Sequence, residues 1–242
     1  MVKEVLIEES NNKKIIERIL HQAEISIQTW QTLWSPFLSA PVREEAMNKL
    51  ILLHDLTCYS DGGYPNAERQ RICFTRNREQ NIAEKIQPPI KGINIEGNFL
   101  FDRATSIDFR NTLKEMGASS HELGDIWIIK DRGAQLLCTE PLSKELNGRT
   151  GMVREVQINC NSLEINELRL PFQRIPKTIR TVEASTRLDA IASAGFGISR
   201  SKALSHIKEG RLRLNWNPMK QGSKLLAQGD RIQLEGKGSI EI

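Results

Sequence analysis

The 242-residue sequence has few of the features that mark metal proteins and secreted proteins. It holds four cysteines, Cys58, Cys73, Cys138 and Cys160, and no two of them form a C-x-x-C pair. The four histidines are equally scattered. We therefore expect no metal site, no cofactor and no disulfide framework. The pattern favours cysteines that are buried as small apolar residues in a reducing compartment.

Long apolar runs are also missing. No stretch approaches the roughly 18 consecutive apolar residues of a membrane span, and the N-terminus lacks the apolar core and cleavage site of a signal peptide. Hydrophobic residues still make up 39% of the sequence, which is enough to bury real cores at this length. We therefore expect a soluble, cytoplasmic protein without a membrane span, and a monomer.

Positive charge is scarce in the first 173 residues and concentrated in the rest. Residues 174–242 carry 13 Lys and Arg against 6 Asp and Glu, whereas residues 1–173 carry 21 against 24. Such a skew is typical of a protein that binds a polyanion, because each phosphate contact releases a counterion. It is equally typical of a solvated face that keeps a protein soluble. Charge alone leaves both interpretations open.

The order of predicted elements divides the chain into domains at 1–87, 88–172 and 173–242. The first domain begins with a helix from Asn12 to about Gln31, where apolar residues recur at helical spacing. A second helix opens at Pro41. The turn of Asp61-Gly62-Gly63 leads to a strand from Arg69 to Phe74. We therefore predict a mixed N-terminal domain that is helical at first.

The central domain alternates element types in the order βαββαβ. The predicted elements are the strand IKGINIEG, the helix SIDFRNTLKEMG with Ser106 as N-cap and Gly117 as stop, two strands in DIWIIKDRGAQLLCTE, the short helix PLSKELNG and the strand VREVQIN. This order predicts a ferredoxin-like, RRM-like α+β domain, with a four-stranded antiparallel sheet and two helices on one face. Trp127 is expected in its core rather than as a base-stacking platform.

The C-terminal domain shows two short helices joined by a glycine turn. The strand-like TIRTVEA precedes a helix from about Thr186 to Ser193 with Ser185 as cap, Gly195 and Gly197 supply stop and turn, and Ser199 caps a helix that runs to Gly210. Strand-like pieces follow. Helical spacing leaves a polar set on the solvent side: Arg187, Asp189, Arg200, Ser201, Lys202 and Lys208. The set converges near one helix start, which predicts a phosphate seat.

The same residues carry a resemblance to the S4 domain, a small RNA-binding module of αL type. It rests on Arg187-Leu188-Asp189, Ser199 to Ala203, Gly210-Arg211-Leu212, Leu214-Asn215 and Gly229 to Ile232. The resemblance implies a structured-RNA partner, rRNA or tRNA, and an RNA-binding face with Arg187, Ser199, Arg200, Ser201, Lys202, Arg211 and Lys220. We add Asp189, Lys208 and Arg213 to the predicted RNA-binding residues. Trp216 departs from the usual Val-Asn-Gly, which puts the tight turn in doubt there. It either offers a stacking ring or packs in the turn.

Enzymes that carry this module need further parts, and we expect none here. A pseudouridine synthase uses an Arg-Leu-Asp aspartate in a long domain after the module, whereas 53 residues follow Asp189. The HIGH and KMSKS strings of tyrosyl-tRNA synthetases do not occur. Gly62-Gly63 is too short for the glycine-rich loop of a methyltransferase. We predict a non-catalytic protein, with an RNA-modifying enzyme and a thylakoid protein-interaction factor as the alternatives.

A second resemblance spans nearly the whole chain. The segments DGGYPNAERQR at 61–71 and FDRATSIDFRNTLKEMGASSHELGDIWI at 101–128, together with the late S4 domain, resemble the YlmH-like proteins. Their counterparts in cyanobacteria and plastids are called photosystem II S4 domain proteins. The resemblance implies a ribosome-associated quality-control factor that binds the large subunit and peptidyl-tRNA, with a role in photosystem II biogenesis in a photosynthetic organism.

Two features of these segments allow a functional or a structural reading. Arg69 and Arg71 follow a glycine turn, where an exposed pair could grip RNA phosphate. In the alternative, the turn is buried and Glu68 pairs with a nearby arginine. Asp125 is expected at a helix-to-strand turn, where it bonds local backbone N–H groups. No histidine or second carboxylate at a plausible spacing supports it as a catalytic acid or base.

Overall fold

The computed structural model describes residues 12–76, 86–172, 176–234 and 237–242. The chain forms two compact units, Met1–Arg174 and Ile175–Ile242, which we call the first and second unit. Each unit combines helices with antiparallel sheet, which confirms the α+β class. The division of the first unit into two domains stays a prediction. Within the described ranges, no helix has both the length and the apolar character needed to cross a bilayer.

The N-terminal part of the first unit packs one amphipathic helix on a small sheet. Its elements are α1 (Lys13–Thr29), β1 (Leu33–Trp34), α2 (Ala40–Leu50), β2 (Leu56–Asp61) and β3 (Arg71–Arg76), with strand order β1-β3-β2. Ile16, Ile19 and Ala23 of α1 are fully buried against Ile72 and Phe74 of β3. Their spacing of three and four residues places them on one helix face, as the sequence pattern predicts.

The central part is a five-stranded antiparallel sheet with order β5-β6-β4-β8-β7. Its elements are β4 (Ile90–Glu96), α3 (Ser106–Glu115), β5 (Leu123–Ile128), β6 (Gly133–Thr139), α4 (Glu140–Leu146), β7 (Thr150–Val153) and β8 (Val156–Leu163). The prediction of four strands was wrong. VREVQIN is not one strand, because Arg154 takes φ +55° in a turn that splits it into a hairpin.

Both central helices cover the same sheet face. Phe109 and Leu113 of α3 share a buried cluster with Leu142 of α4 and the sheet residues Ile93 and Leu136. The N-cap prediction was off by one residue, because Thr105 and not Ser106 caps α3. The Thr105 hydroxyl accepts from the Asp108 backbone N–H, and the Asp108 carboxylate accepts from the Thr105 backbone N–H, which is a capping box.

The opposite sheet face packs against the N-terminal part. Phe37 and Leu137 belong to one buried cluster there, with Tyr64 and Trp127 packed on it. Trp127 forms a tilted ring pair with Tyr64 at 5.9 Å and donates its indole N–H to the Arg169 carbonyl at 2.9 Å. These contacts favour the core interpretation of Trp127. Phe37 also links the two parts through its backbone N–H, which donates to the His121 carbonyl at 2.8 Å.

The second unit is a helix pair on a small sheet. Its elements are α5 (Leu188–Phe196), α6 (Arg200–Lys208), β9 (Leu212–Leu214), β10 (Asn217–Pro218), β11 (Arg231–Leu234) and β12 (Gly238–Glu241), with strand order β10-β9-β11-β12. Leu188, Ala192, Ala203 and Ile207 are fully buried in its core, as the predicted apolar face requires.

Three local predictions in this unit were wrong. The segment 178–184 forms no strand. Helix α5 begins at Leu188, and its N-cap is Arg187 rather than Ser185. The Leu188 N–H pairs with the Lys224 carbonyl, which fixes this start. Gly195 lies inside α5 rather than ending it. A glycine is required there because a Cβ would collide with the Ile240 side chain. Gly197 ends α5 with φ +60°.

All four cysteines carry free thiols. Cys73, Cys138 and Cys160 are buried and Cys58 is half-buried, so the prediction of burial holds for three. Burial raises the pKa of the Cys58 and Cys138 thiols to about 12, which keeps them protonated and unreactive at neutral pH. In the parts of the chain that the structure describes, no cluster of His, Cys, Asp and Glu is placed to hold a metal ion.

Candidate nucleic-acid interface

A buried carboxylate holds two guanidinium groups at the surface of the second unit. The Asp189 side chain is only 2% exposed. Arg187 donates to its Oδ1 and Oδ2 at 3.1 and 3.0 Å, and Arg200 donates to the same two oxygens at 3.2 Å. This burial keeps the Asp189 carboxylate from RNA, although helical spacing predicted Asp189 on the solvent side. The carboxylate holds the two arginine side chains in fixed positions relative to each other, although they are far apart in the sequence.

The electrostatics of this cluster leave one net positive charge facing solvent. Hydrogen bonds from Arg187, and then from Arg200, lower the pKa of Asp189 to about 2 against the effect of burial. The same contact raises the pKa of Arg187. Asp189 is therefore ionised at neutral pH, where guanidinium groups are always charged. The Arg187 and Arg200 side chains remain 39% and 54% exposed, so each offers a free edge to an anion.

The start of helix α6 is open beside this cluster. Ser199 caps it as predicted, with its hydroxyl accepting from the Lys202 N–H at 3.2 Å. Within the described chain, the backbone N–H groups of Arg200 and Ser201 have no acceptor. Exposed N–H groups at a helix start, with the positive end of the dipole, favour a phosphate. Ser199, Arg200, Ser201 and Lys202 are all exposed there.

The start of helix α5 is closed, by contrast. The Leu188 and Asp189 N–H groups donate to the backbone carbonyls of Lys224 and Gly222 at 2.8 and 3.0 Å. The predicted phosphate seat is therefore available at α6 and not at α5. The chain segment that closes α5 also fits tightly, since a Cβ on Gly222 would collide with the Leu204 side chain.

The structure does not bring every predicted residue to this place. Lys208 and Arg211 lie at the far end of α6, which is about 12 Å from its start at 1.5 Å per residue. Arg213 stands on the exposed side of β9, between the buried Leu212 and Leu214. Lys220 is exposed two residues before Gly222, where the chain returns toward α5.

Sequence reasoning missed Lys224 at this interface. Its side chain is exposed, and its carbonyl accepts the Leu188 N–H, which places its backbone next to Arg187. No signal in the sequence could have found it, because the pairing joins positions 36 residues apart through backbone atoms alone.

The turn that follows β9 keeps its tight geometry despite the tryptophan. Asn215 and Trp216 take φ +46° and +71°, and Leu214 pairs with Asn217 across them. Two consecutive left-handed residues define a two-residue hairpin turn. The Arg231 guanidinium lies 5.7 Å from the centre of the half-buried Trp216 ring. Trp216 therefore packs in the turn, and its stacking on a base stays a prediction.

Arg69 and Arg71 have structural partners. The Arg69 guanidinium donates to the Leu123 and Ser120 carbonyls, both at 2.8 Å. Arg71 donates to the Ser35 and Pro89 carbonyls at 2.7 and 2.9 Å. These contacts favour a structural role for both arginines, although the turn is not buried, since Pro65, Asn66 and Glu68 are exposed. We leave both arginines out of the RNA-binding surface proposed below.

Asp125 also differs from its predicted setting. It lies within strand β5, at a bulge, and its partners are distant in sequence. Its carboxylate accepts from the Glu68 and Arg69 N–H groups at 2.7 and 2.9 Å and from the Tyr64 hydroxyl at 2.8 Å. The motif at 61–71 and the motif around 125 are thus two halves of one hydrogen-bonded junction, which gives Asp125 a structural task.

With this geometry in place, the chain can be compared with known proteins. Residues 186–232 match the S4 domain family model. Residues 11–78 match the model for the N-terminal domain of YlmH. These two matches confirm the resemblance to YlmH-like S4 proteins.

Two proteins are similar over larger parts of the chain. The ribosome-associated protein quality control protein P2 of Bacillus subtilis (strain 168) is 22% identical over 236 residues, which cover 96% of this chain and 88% of that protein. A solved structure, the cell division protein ylmH from Streptococcus pneumoniae, is 15% identical with a TM-score of 0.46. It covers 64% of this chain and 93% of its own.

Proposed function

We propose that this chain is a non-catalytic RNA-binding protein that associates with the ribosome through its S4 domain and acts in ribosome-associated quality control. The observation that carries the proposal is the pair of arginines held by Asp189 beside the open start of α6. The proposed surface consists of Arg187, Ser199, Arg200, Ser201, Lys202, Lys220 and Lys224. Lys208, Arg211 and Arg213 belong to it only if the RNA extends along α6 to the sheet.

Its geometry suits the backbone of a folded RNA. Guanidinium groups with one fixed edge recognise phosphate oxygens without a large loss of side-chain freedom. Two backbone N–H groups add donors of fixed direction. This set reads phosphate positions and not base identity, which favours a structured RNA such as rRNA or tRNA over a sequence motif.

The ribosomal setting comes from a relative. The Bacillus protein is named for quality control on ribosomes, and its similarity extends through both units of this chain. We propose the large subunit and its tRNA as the binding site, and a cytoplasmic location. The role in photosystem II biogenesis rests on the resemblance alone, as does a thylakoid partner.

Crosslinking of the protein in cells, followed by sequencing of the bound RNA, tests the proposal. We expect large-subunit rRNA and tRNA to be enriched over messenger RNA. Enrichment of small-subunit rRNA or messenger RNA instead would contradict the large-subunit assignment. For the non-catalytic assignment, rRNA from a deletion strain should keep all its modifications by mass spectrometry, whereas a missing modification would favour an enzyme.

A further inference from the structure

The first unit contains a cleft that the proposed RNA surface does not use. Its volume is about 440 Å³, and residues from α1, the first sheet and the β6–α4 junction line it together. The polar and aromatic residues of its lining are Arg18, Gln22, Trp34, Arg71, His121, Glu122, Thr139 and Glu140. Small-molecule sites usually occupy roughly 300 to 1,000 Å³, so the cleft has the size for a small organic ligand.

Two buried polar atoms in the cleft wall lack partners. In the described part of the chain, Gln22 Oε1 and Thr139 Oγ1 are buried and form no hydrogen bond. Thr139 is only 9% exposed and precedes helix α4 without capping it through its side chain. Buried polar atoms nearly always find a partner in folded proteins. Two such atoms in the wall of one cleft indicate that a ligand supplies the missing donor and acceptor.

Two arginines and two glutamates line the cleft. Arg71 uses Nε and Nη1 to hold backbone carbonyls, and its Nη2 finds no acceptor among the described residues. Burial alone lowers the pKa of Arg71 to about 10, since no carboxylate stands close enough to oppose it. Arg18 forms no ion pair within the described ranges either.

Two glutamates of the wall have partners of their own. Glu140 forms an ion pair with Lys144 at 2.7 Å, and Glu122 keeps its charge while it accepts the Ser119 N–H at 3.0 Å. Arg18 and the free edge of Arg71 remain available to an anionic group. Trp34 adds an aromatic wall, held edge-on against the Tyr59 ring.

We propose that this cleft binds a small organic anion. Its phosphate or carboxylate pairs with Arg18 and the free edge of Arg71, a hydrogen-bond donor on the ligand reaches Gln22 Oε1, and its apolar or planar body lies against Trp34. The Thr139 hydroxyl donates to or accepts from the same ligand. This site goes beyond the proposed function, because all its residues belong to the first unit whereas the RNA surface belongs to the second.

Titration calorimetry on the full-length protein tests the site with two panels of probes, the four nucleoside 5′-monophosphates and the twenty standard amino acids. We expect saturable binding of at least one probe. The panel that binds tells whether the anionic group is a phosphate or a carboxylate. If no probe in either panel binds saturably, the proposal is wrong.

Three variants locate the binding. Arg18→Ala and Thr139→Val should each weaken binding by about tenfold, the loss expected for one charge-assisted or buried hydrogen bond. Arg103→Ala, an exposed arginine outside the cleft, makes the same charge change and should leave affinity unaltered. Thr139→Val should not lower the melting temperature, since the hydroxyl has no partner to lose in the free protein. Binding that survives both cleft variants would place the ligand elsewhere and overturn the proposal.

Discussion

Arg69 donates its backbone N–H to the carboxylate of Asp125 at 2.9 Å, 56 residues away, and the same carboxylate accepts from Glu68 and Tyr64. Three hydrogen bonds to one charge therefore join the glycine turn of the N-terminal part to strand β5. We expect Asp125→Ala to lower the free energy of unfolding by about 3 kcal/mol, because three donors, two of them half-buried, lose a charged acceptor. Urea unfolding of the full chain, followed by circular dichroism, measures the change.

Two further variants serve as controls for Asp125. Tyr64→Phe removes one of the three donors and should cost about 1 kcal/mol. Asp131→Ala removes an exposed carboxylate from the same unit and should change stability by less than about 0.5 kcal/mol. Equal effects of Asp125→Ala and Asp131→Ala would show that the junction contributes nothing to stability.

Arg200→Ala and Lys202→Ala test the RNA surface. Each should weaken cosedimentation with ribosomal subunits and reduce the slope of log affinity against log salt by about one, if each residue contacts one phosphate. Lys208→Ala removes the same charge at the far end of α6 and should change the slope less. Unchanged cosedimentation of the Arg200→Ala/Lys202→Ala double variant would rule out the start of α6 as the binding site.

The predictions from sequence succeeded where local pattern determines structure. Ser199 was predicted as a helix cap, and its side chain accepts from the backbone N–H three residues later. The positions of Ala192 and Ile207 in the core follow from helical spacing. Failures occurred where distant atoms decide. Helix α5 starts late because a carbonyl at position 224 meets its first N–H.

The candidate site shows the same division. Helical spacing grouped Asp189 with Arg187 and Arg200 on one polar face, and the Asp189 carboxylate accepts hydrogen bonds from both. Its burial could not be predicted, because the covering segment around Gly222 comes more than 30 residues later. The cleft of the first unit could not be predicted at all, since its wall combines residues from both sheets of that unit that lie between Arg18 and Pro141 in the sequence.

Acid should weaken the Asp189 cluster in a defined pH window. The pKa of Asp189 falls from its ordinary 3.8 to about 2 in the folded protein. A lowered folded pKa adds stability that is complete above pH 3.8 and is lost as the pH falls through about 2. The contribution at neutral pH is on the order of 2 kcal/mol.

The Asp189→Asn variant isolates this contribution from other carboxylates. Its free energy of unfolding at pH 7 should lie below that of the wild type, and the gap should close as the pH approaches 2. Urea unfolding followed through NMR signals of the Ala192 and Ala203 methyl groups, both buried in the second unit, reports on the right part of the chain. A gap that stays constant from pH 7 to pH 2 would mean that Asp189 acts by packing and not by charge.

Asn215 should stabilise the second unit through both its backbone and its side chain. Its backbone φ of +46° is unfavourable for most residues that carry a Cβ. Its side-chain amide donates to the Asp230 carboxylate at 2.7 Å, and its side-chain carbonyl accepts the Arg231 backbone N–H at 2.9 Å. Asn215→Gly keeps the backbone freedom and loses only the side-chain bonds, so we expect a loss of about 1 kcal/mol. Asn215→Ala loses both and should cost about 2 to 3 kcal/mol. The same NMR-detected urea unfolding measures both, and an alanine variant no less stable than the glycine variant would show that the left-handed backbone carries no strain.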